Sequence, residues 1–158
     1  MHHFVQYLES PAGLLEISAD ADFLKQVSFV EAMRFDNKNN PVTEQTVNQL
    51  QEYFLRKRLI FELPLSPDGT EFYNKVWHEL LNIPFGKTIS YLELARRLGD
   101  EKVIRAAASA NGKNPVAIII PCHRVIGSNG SLTGYAGGLW RKQWLLDFES
   151  GNYRMEGM

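Results

Sequence analysis

The feature that most constrains the fold of this chain is an apolar run that ends in reactive side chains. Ile118–Pro121 leads directly into Cys122, His123 and Arg124, and two further apolar residues follow. Such a run is expected to be buried, and burying a thiol, an imidazole and a guanidinium is costly unless they are paired. Because successive side chains of a strand point to opposite faces, His123 can reach the sulfur only through a turn at Pro121 or a bridging water. The sequence therefore predicts an irregular, kinked segment here.

Cys122 is the only cysteine in the chain. One interpretation is a small core hydrophobe, which is the usual role of a free cysteine. The other is a nucleophile, because a neighbouring imidazole or cation lowers the pKa of a thiol from its ordinary value of about 8.5. A single cysteine excludes an internal disulfide, and a free thiol is best suited to a reducing compartment. One cysteine and four scattered histidines match no zinc-ligand spacing, so we expect neither a metal nor a cofactor.

The composition indicates a globular protein of the cytoplasm. The chain has 158 residues, of which 44% are hydrophobic, enough to bury a sizeable core. No apolar stretch approaches the ~20 residues that cross a bilayer, and Met1–Phe4 lacks the basic flank and apolar region of a signal peptide. We therefore expect no membrane partner.

Charge is distributed unevenly along the chain. Residues 85–145 contain nine Lys/Arg and three Asp/Glu, a net charge of +6, whereas residues 1–84 have a net charge of −5. A basic block is often only a solvated face. Because this one surrounds Cys122, it favours an anionic ligand such as nucleic acid.

The N-terminal part is predicted to be a small antiparallel sheet covered by one helix. Strands are expected at Phe4–Leu8, Leu14–Ala19 and Leu24–Val30, with a turn between the first two. Apolar residues then recur at helical spacing from Val47 to Phe54. Nothing in residues 1–60 clusters chemical groups, so we interpret residues 1–66 as a structural domain.

A proline- and glycine-containing connector, Leu63–Gly69, separates this domain from the remainder. Residues 67–158 are predicted to form a second, mostly helical domain. It begins with a helix whose apolar stripe is Phe72, Val76 and Leu80.

Two short helices are predicted next. Ser90-Tyr91-Leu92-Glu93 has the spacing of a capping box, and Gly99 ends that helix. Asp100 caps a second helix that ends at Asn111-Gly112. This outline is that of a helix-turn-helix, although helical hairpins that do not bind DNA share it.

The second helix of the pair has few groups that can read bases. It offers Arg105 and then mainly methyl groups, whereas base readout in the major groove needs Arg, Asn, Gln or Glu. Such a surface suits close approach to a groove regardless of sequence, with Arg105 free to enter the base stack. The alternative is that the alanines only let two helices pack closely.

The segment after the cysteine is predicted to contain a tight turn at Ser128–Ser131, a flexible loop at Gly134–Gly138 and a final helix at Leu139–Phe148. Three apolar side chains of that helix are expected to point inward: Trp140, Trp144 and Leu145. Glu149 stands at the helix C-terminus, where a carboxylate opposes the dipole. Its position suggests a partner such as His123, and a surface glutamate is the alternative.

These motifs together resemble the O6-alkylguanine-DNA alkyltransferases, also called methylated-DNA–protein-cysteine methyltransferases. The resemblance covers residues 70–150, with the motifs in order. The matching residues are Ile120-Pro121-Cys122-His123-Arg124-Val125, Ser90-Tyr91, Arg105-Ala106, Asn114-Pro115, Gly134-Tyr135-Ala136-Gly137-Gly138 and Leu145 to Glu149. Residues 1–66 resemble the family more loosely, as a ribonuclease H-like layer of strands and helix.

The resemblance implies an α+β protein that repairs DNA by transferring an alkyl group from O6 of guanine, or from O4 of thymine, to Cys122. The base would be flipped by a helix-turn-helix in the minor groove, and the protein would be inactivated after one transfer. Its partner would be double-stranded DNA carrying O6-alkylguanine, bound by a monomer.

The resemblance also assigns roles to individual residues. His123, a water and Glu149 would draw off the thiol proton, Tyr91 would hydrogen-bond guanine N3, and Asn114 would brace the cysteine turn. The substrate pocket would be formed by Val125, Tyr135 and Ala136. The DNA-contacting residues would be Ser90, Lys102, Arg105, Ala106, Ala108 and Arg124.

One departure from the family pattern lies in the recognition helix, where Ala106-Ala107-Ala108 replaces the usual glycine and valine. Two other classes of function compete with alkyl transfer. A cysteine hydrolase would use a similar Cys, His and acid arrangement but would turn over. A lesion-binding or regulatory DNA module would use only the helix pair and would bind without the thiol.

Overall fold

The structure is a computed structural model that describes residues 4–151. The chain divides into two compact units. The first contains Met1–Asp68 and Pro115–Ile119, and the second contains Gly69–Asn114 and Ile120–Met158. Residues 115–119 thus belong with the N-terminal part, which a contiguous division of the sequence does not anticipate.

The first unit contains the antiparallel sheet that the sequence predicts. The strands are β1 (Phe4–Ser10), β2 (Gly13–Ala19) and β3 (Leu24–Phe29), in the order β1-β2-β3. Tyr7 pairs with Glu16 across the first ladder, and Ile17 pairs with Val27 across the second. The predicted meander is therefore confirmed.

Helix α1 (Pro41–Phe54) packs on this sheet. It begins with a capping box in which the Asn40 side chain accepts from the backbone of Thr43 and the Thr43 hydroxyl accepts from Asn40 N. Its buried face includes Leu50 and Tyr53, both fully buried, as the helical spacing predicts.

The segment 115–119 adds one β-bridge to the edge of β3. Val27 N donates to Pro115 O at 3.0 Å, and Ala117 N donates to Val27 O at 2.9 Å. Ile118 has a φ of +72°, which is an outlier for a β-branched residue. The chain therefore approaches the cysteine through a strained backbone.

The second unit is mostly helical. Helix α2 (Glu71–Leu80) buries Val76, Trp77 and Leu80, which confirms most of the predicted stripe. Gly69 allows this packing, because a Cβ there would lie 2.5 Å from the Trp77 ring.

The predicted helix pair is present in this unit. Helix α3 (Tyr91–Arg97) begins with Ser90, whose hydroxyl accepts from Glu93 N at 3.0 Å. The Glu93 carboxylate binds Arg97 at 3.1 Å, so only the serine half of the expected capping box is seen. A 3₁₀ turn (Glu101–Val103), capped by Asp100, then leads into α4 (Ile104–Gly112).

Two short strands link this pair to the cysteine turn. Strand β4 (Ile89–Ser90) pairs in parallel with β5 (Val125–Ile126), an arrangement that the sequence analysis did not predict. Helix α5 (Leu139–Ser150) completes the unit and ends at Gly151, whose φ of +86° is the left-handed conformation common after helices.

Among residues 4–151, no helix is both long enough and apolar enough to cross a bilayer.

Candidate active site

The cysteine lies on a 3₁₀ turn, Cys122–Arg124, that follows Pro121. Two asparagines fix the backbone of this turn. Asn114 Nδ2 donates to Ile120 O at 2.7 Å, and Asn111 Nδ2 donates to Cys122 O at 3.3 Å. The kink predicted from the sequence is thus confirmed, and Asn114 makes the contact expected of a brace.

A histidine–glutamate pair is buried directly after the cysteine. His123 Nε2 lies 2.8 Å from Glu149 Oε2, and both side chains are essentially inaccessible to solvent. The contact between these residues was one of two sequence-based interpretations of Glu149, and the structure excludes the alternative of a surface glutamate.

Arg124 binds the same carboxylate. Its Nε donates to Glu149 Oε1 at 2.7 Å and its Nη2 to Oε2 at 2.9 Å, while Nη1 donates to Ile83 O at 2.6 Å. Gly86 N also faces Glu149 Oε1 at 3.4 Å, in a turn where Gly86 has a φ of +79°. The carboxylate is therefore held by two segments of the second unit, the Cys122–Arg124 turn and the turn at Gly86.

This geometry corrects one prediction from the sequence. Arg124 was placed among the DNA-contacting residues, but it is 6% exposed and all its assigned donors face Glu149 and Ile83. Burying a guanidinium is tolerated here because a carboxylate pairs with it in a bidentate geometry. Arg124 therefore orders the site from inside the unit.

The charges around Glu149 set the protonation states of the pair. Burial raises the pKa of the Glu149 carboxyl, but His123 and Arg124 outweigh burial and hold that pKa far below its usual range. Burial lowers the pKa of His123, and this effect exceeds the opposing influence of Glu149. At neutral pH the carboxylate is ionised and the imidazole is neutral, so His123 is able to accept a proton.

The pKa of the Cys122 thiol differs from the one expected under the nucleophile interpretation. Burial raises the pKa of Cys122, although a hydrogen bond from Asn114 and the charge of Lys142 act in the opposite direction. The expectation of a lowered thiol pKa is therefore wrong for the resting protein, because desolvation exceeds the influence of nearby cations. The resting pair is a neutral thiol beside a neutral imidazole.

A buried lysine that the sequence analysis missed lies next to Tyr91. Lys142 is fully buried, and its Nζ donates to Thr133 O at 2.9 Å and to Tyr91 Oη at 3.4 Å. The Tyr91 hydroxyl in turn donates to Thr133 O at 3.2 Å. The signal was available, because Lys142, Leu145 and Glu149 share one helix face at i, i+3 and i+7.

The predicted substrate-pocket residues differ in their surroundings. Val125 is fully buried, Ala136 is exposed, and the Tyr135 hydroxyl is buried without a hydrogen bond to any residue in 4–151. Burial and the proximity of Cys122 raise the pKa of Tyr135 well above its ordinary value. The Tyr135 phenol is therefore neutral and lies near the thiol.

One apolar side chain of the last helix was misplaced by the sequence analysis. Trp140 was expected to point inward, but it is 57% exposed, and the Arg141 guanidinium lies 4.5 Å from its ring centroid. Trp140 lies in the first turn of α5. The buried face of this helix contains Leu145 and Phe148 and does not include position 140.

The predicted DNA-contacting residues of the helix pair lie mostly at the surface. Ser90 and Ala108 are half-buried, whereas Lys102, Arg105 and Ala106 are exposed. The buried face of α4 consists of Ala107, Ala110 and Asn111. The alanines thus have two functions in the structure: some pack against the other helices, and others leave a smooth exposed surface beside Arg105.

Within the described range, no group of His, Cys, Asp and Glu side chains is arranged to hold a metal ion. The site presents a thiol, an imidazole–carboxylate pair, a tyrosine hydroxyl and a buried lysine side chain.

Comparison with known protein families gives matches over almost the whole chain. Residues 4–67 match the model described as "6-O-methylguanine DNA methyltransferase, ribonuclease-like domain", and residues 71–151 match "6-O-methylguanine DNA methyltransferase, DNA binding domain".

Curated relatives give the same result. A methylated-DNA–protein-cysteine methyltransferase of Methanosarcina acetivorans is 42% identical over 147 residues, covering 89% of this chain and 94% of that protein. A constitutive protein of the same name from Bacillus subtilis is 41% identical and covers 92% of this chain and 94% of its own length.

Solved structures match in fold as well as in sequence. The crystal structure of the Mycobacterium tuberculosis O6-methylguanine methyltransferase matches with a TM-score of 0.85 and 36% identity, over 97% of this chain and 96% of that one. The M. tuberculosis OGT structure in complex with DNA matches with a TM-score of 0.86 and 38% identity, over 94% of each chain.

Proposed function

The chain belongs to the 6-O-methylguanine DNA methyltransferase family, and from this premise we propose that it repairs DNA by moving an alkyl group from O6 of guanine to the sulfur of Cys122. O4 of thymine is a second acceptable donor atom in this proposal. The observation that carries it is a buried thiol followed directly by His123, whose Nε2 lies 2.8 Å from the buried carboxylate of Glu149.

The first step is removal of the thiol proton. His123 Nε2 faces a carboxylate, so Nε2 carries the ring proton and Nδ1 is free to accept one. The Cys122 proton passes through a water to Nδ1, and Glu149 stabilises the resulting imidazolium. Arg124 keeps Glu149 ionised and in place. Because the resting thiol is protonated, the thiolate exists only during the reaction.

The second step is displacement at the alkyl carbon. The thiolate forms the S–C bond while the C–O6 bond breaks, and the electron pair of that bond goes to guanine. The charge that develops on guanine is neutralised by a proton from the Tyr91 hydroxyl to N3. Lys142 lies 3.4 Å from Tyr91 Oη and supplies the replacement proton. Substrate binding must first divert the Tyr91 hydroxyl from its present acceptor, Thr133 O.

The product is a thioether on Cys122. Unlike a thioester, a thioether has no carbonyl for water to attack, and the chain has no second cysteine to remove the group. Each protein molecule therefore acts once, which separates this function from that of a cysteine hydrolase.

The DNA-binding surface in this proposal is the helix pair α3 and α4, acting as a helix-turn-helix in the minor groove of duplex DNA. Arg105 fills the gap left by the flipped base, and the smooth face around Ala106 and Ala108 approaches the groove. Ser90 and Lys102 contact the sugar-phosphate backbone of the DNA. A protein with these contacts binds with little sequence preference and with a steep salt dependence. It acts as a monomer in the cytoplasm.

The experiment compares a duplex substrate with a free base. Arg105→Ala should slow repair of O6-methylguanine in a duplex by roughly 10- to 100-fold, because filling the gap offsets part of the few kcal/mol that base flipping costs. The same variant should react normally with free O6-benzylguanine, which needs no flipping.

Arg58→Ala serves as the charge-matched control, since Arg58 lies in the first unit and binds Glu52 and Glu62. An equal loss on both substrates for Arg105→Ala would show that Arg105 does not act by replacing the flipped base. Binding of DNA by wild-type protein without any alkyl transfer would favour a lesion-binding module instead.

A further inference from the structure

Buried polar atoms without hydrogen bonds concentrate around Cys122. Among the described residues, four buried side-chain oxygen or nitrogen atoms have no partner, and three of them belong to the second unit: Asn111 Oδ1, His123 Nδ1 and Tyr135 Oη. Asn111 binds the Cys122 carbonyl, His123 is the next residue, and Tyr135 lies near Cys122. Most buried polar atoms in proteins are paired, with protein groups or with ordered water, so each of these three atoms needs an explanation.

The orientation of the Asn111 amide follows from its one protein contact. A backbone carbonyl can only accept a hydrogen bond, so the Asn111 nitrogen must face Cys122 O, which lies 3.3 Å away. The amide oxygen is consequently directed elsewhere. Asn111 is 1% exposed, so this oxygen is an acceptor cut off from bulk solvent.

The tautomer of His123 follows in the same way. Glu149 is ionised and can only accept, so the proton of the neutral ring is on Nε2 and Nδ1 is an acceptor. Asn111 Oδ1 and His123 Nδ1 are therefore two buried acceptors, one on the side chain that binds the Cys122 carbonyl and one on the residue that follows Cys122. They cannot bond to each other. A molecule that joins them must donate two hydrogen bonds.

We propose that Asn111 is a positioning residue that holds the relay water between Cys122 and His123. A water that donates one hydrogen to Asn111 Oδ1 and the other to His123 Nδ1 leaves its oxygen lone pair for the Cys122 S–H. The thiol proton then moves to this oxygen as the hydrogen already aimed at Nδ1 moves to the ring. Asn111 fixes the direction of transfer, and it neither gains nor loses a proton.

This inference rests on the proposed function, because it concerns how that reaction starts. It differs from a purely structural role for Asn111, in which the amide only supports the Cys122 carbonyl. The structural role predicts a loss of stability. The positioning role predicts, in addition, a change in how the reaction depends on pH and on His123.

The test uses Asn111→Leu, which removes both hydrogen bonds at similar side-chain size. The measured quantity is the rate constant for transfer from free O6-benzylguanine to Cys122, followed by intact-protein mass. At pH values below the thiol pKa, this rate constant should be about tenfold lower than in the wild type, as expected for one hydrogen bond. The loss should shrink at high pH, where the thiol ionises without help. Ser109→Ala, an exposed position on the same helix, should behave as wild type.

A double-mutant cycle with His123→Ala supplies a measurement that a structural role would not change. If Asn111 acts through the water on His123, then Asn111→Leu should have little further effect on the rate once His123 is replaced. If the two losses multiply, or if Asn111→Leu lowers the rate by the same factor at every pH, the inference is wrong. Should Asn111→Leu fail to fold, Asn111→Ala carries the same cycle with the smaller side chain that α4 already contains.

These outcomes separate the inference from the proposed function. Failure of wild-type Cys122 to gain a methyl group from duplex O6-methylguanine would overturn the function itself. Normal transfer by the wild type together with additive Asn111 and His123 effects would overturn only the role of Asn111.

Discussion

Each of the two units buries one carboxylate beside an arginine. In the first unit, Glu16 accepts from Tyr7 Oη at 2.7 Å and from Arg34 Nη2 at 2.6 Å, and the Tyr7 hydroxyl accepts from Arg34 N and Phe35 N. In the second unit, Glu149 binds Arg124 and His123 at similar distances.

The two clusters differ in exposure and in completeness. The Arg34 side chain is 56% exposed, whereas that of Arg124 is 7% exposed. The Tyr7 hydroxyl both donates and accepts, so that cluster is complete, whereas His123 Nδ1 is buried without a partner in the described chain. The same ion-pair chemistry therefore fastens a loop to the sheet in one unit and leaves a proton acceptor beside a thiol in the other.

The largest expected effect comes from removing the carboxylate of each cluster. Glu149→Gln should cost about 3–5 kcal/mol of stability, because it leaves the Arg124 guanidinium buried without a counter-charge. Glu16→Gln should cost only about 1 kcal/mol, since water reaches Arg34 and a glutamine still accepts hydrogen bonds. Urea unfolding of both variants measures the difference. Equal losses would show that the two ion pairs are equivalent and that burial does not separate them.

The second comparison concerns rate. His123→Gln should lower the rate constant for alkyl transfer by about 100-fold or more, as expected for loss of a general base. Tyr7→Phe removes the hydroxyl that binds Glu16, as His123 binds Glu149 in the second unit. This variant should transfer the alkyl group at the wild-type rate. Single-turnover assays with O6-benzylguanine check both. A His123→Gln protein as fast as wild type would remove the proton relay from the mechanism.

A smaller effect is expected from the reaction product. An alkyl group added to a cysteine that is 6% exposed overpacks its surroundings, at a cost of about 1–3 kcal/mol. The alkylated protein should therefore have a lower Tm than the unmodified protein. Hydrogen exchange should become faster in the Cys122–Arg124 turn and in α5. An unchanged Tm after complete alkylation would mean that the pocket has room for the product.

The smallest expected effect is a pH dependence of the free energy of unfolding, which comes from Cys122 in the second unit. Burial raises the pKa of Cys122 in the folded protein, whereas the unfolded thiol titrates near about 8.5. Above that pH the unfolded state loses a proton that the folded state keeps. The resulting stability is therefore fully present below pH ~8.5 and is lost above it, at up to ~1.4 kcal/mol per pH unit. Cys122→Ala should remove this part of the slope, and identical slopes would contradict the raised pKa.

Much of the fold could be predicted from local patterns. The three strands follow from runs bounded by turn residues, and Leu50, Val76 and Leu80 mark helix faces that the structure buries. The histidine–glutamate contact could be anticipated because a carboxylate at a helix C-terminus needs a partner. The strands and helix faces depend on residues close together in sequence, and the histidine–glutamate contact follows from one carboxylate in an unfavourable position.

The errors arise where a property depends on the whole surroundings of a side chain. Arg124 was placed among the DNA-contacting residues because nothing in the sequence shows that Ile83 and Glu149 surround it. The pKa of Cys122 was judged from its neighbours in sequence, but burial is set by the packed unit. Lys142 and Asn111 were not predicted, because helical spacing alone does not show which polar side chains are buried against a partner.

The central claim is that Cys122 takes one alkyl group from DNA and keeps it. Intact-protein mass spectrometry after incubation with a twofold excess of duplex O6-methylguanine tests it most directly. The account predicts one methyl group per protein, located on Cys122, one equivalent of repaired guanine, and no repair by Cys122→Ala even though that variant still binds the duplex. Repair of both equivalents by a protein of unchanged mass would contradict the account.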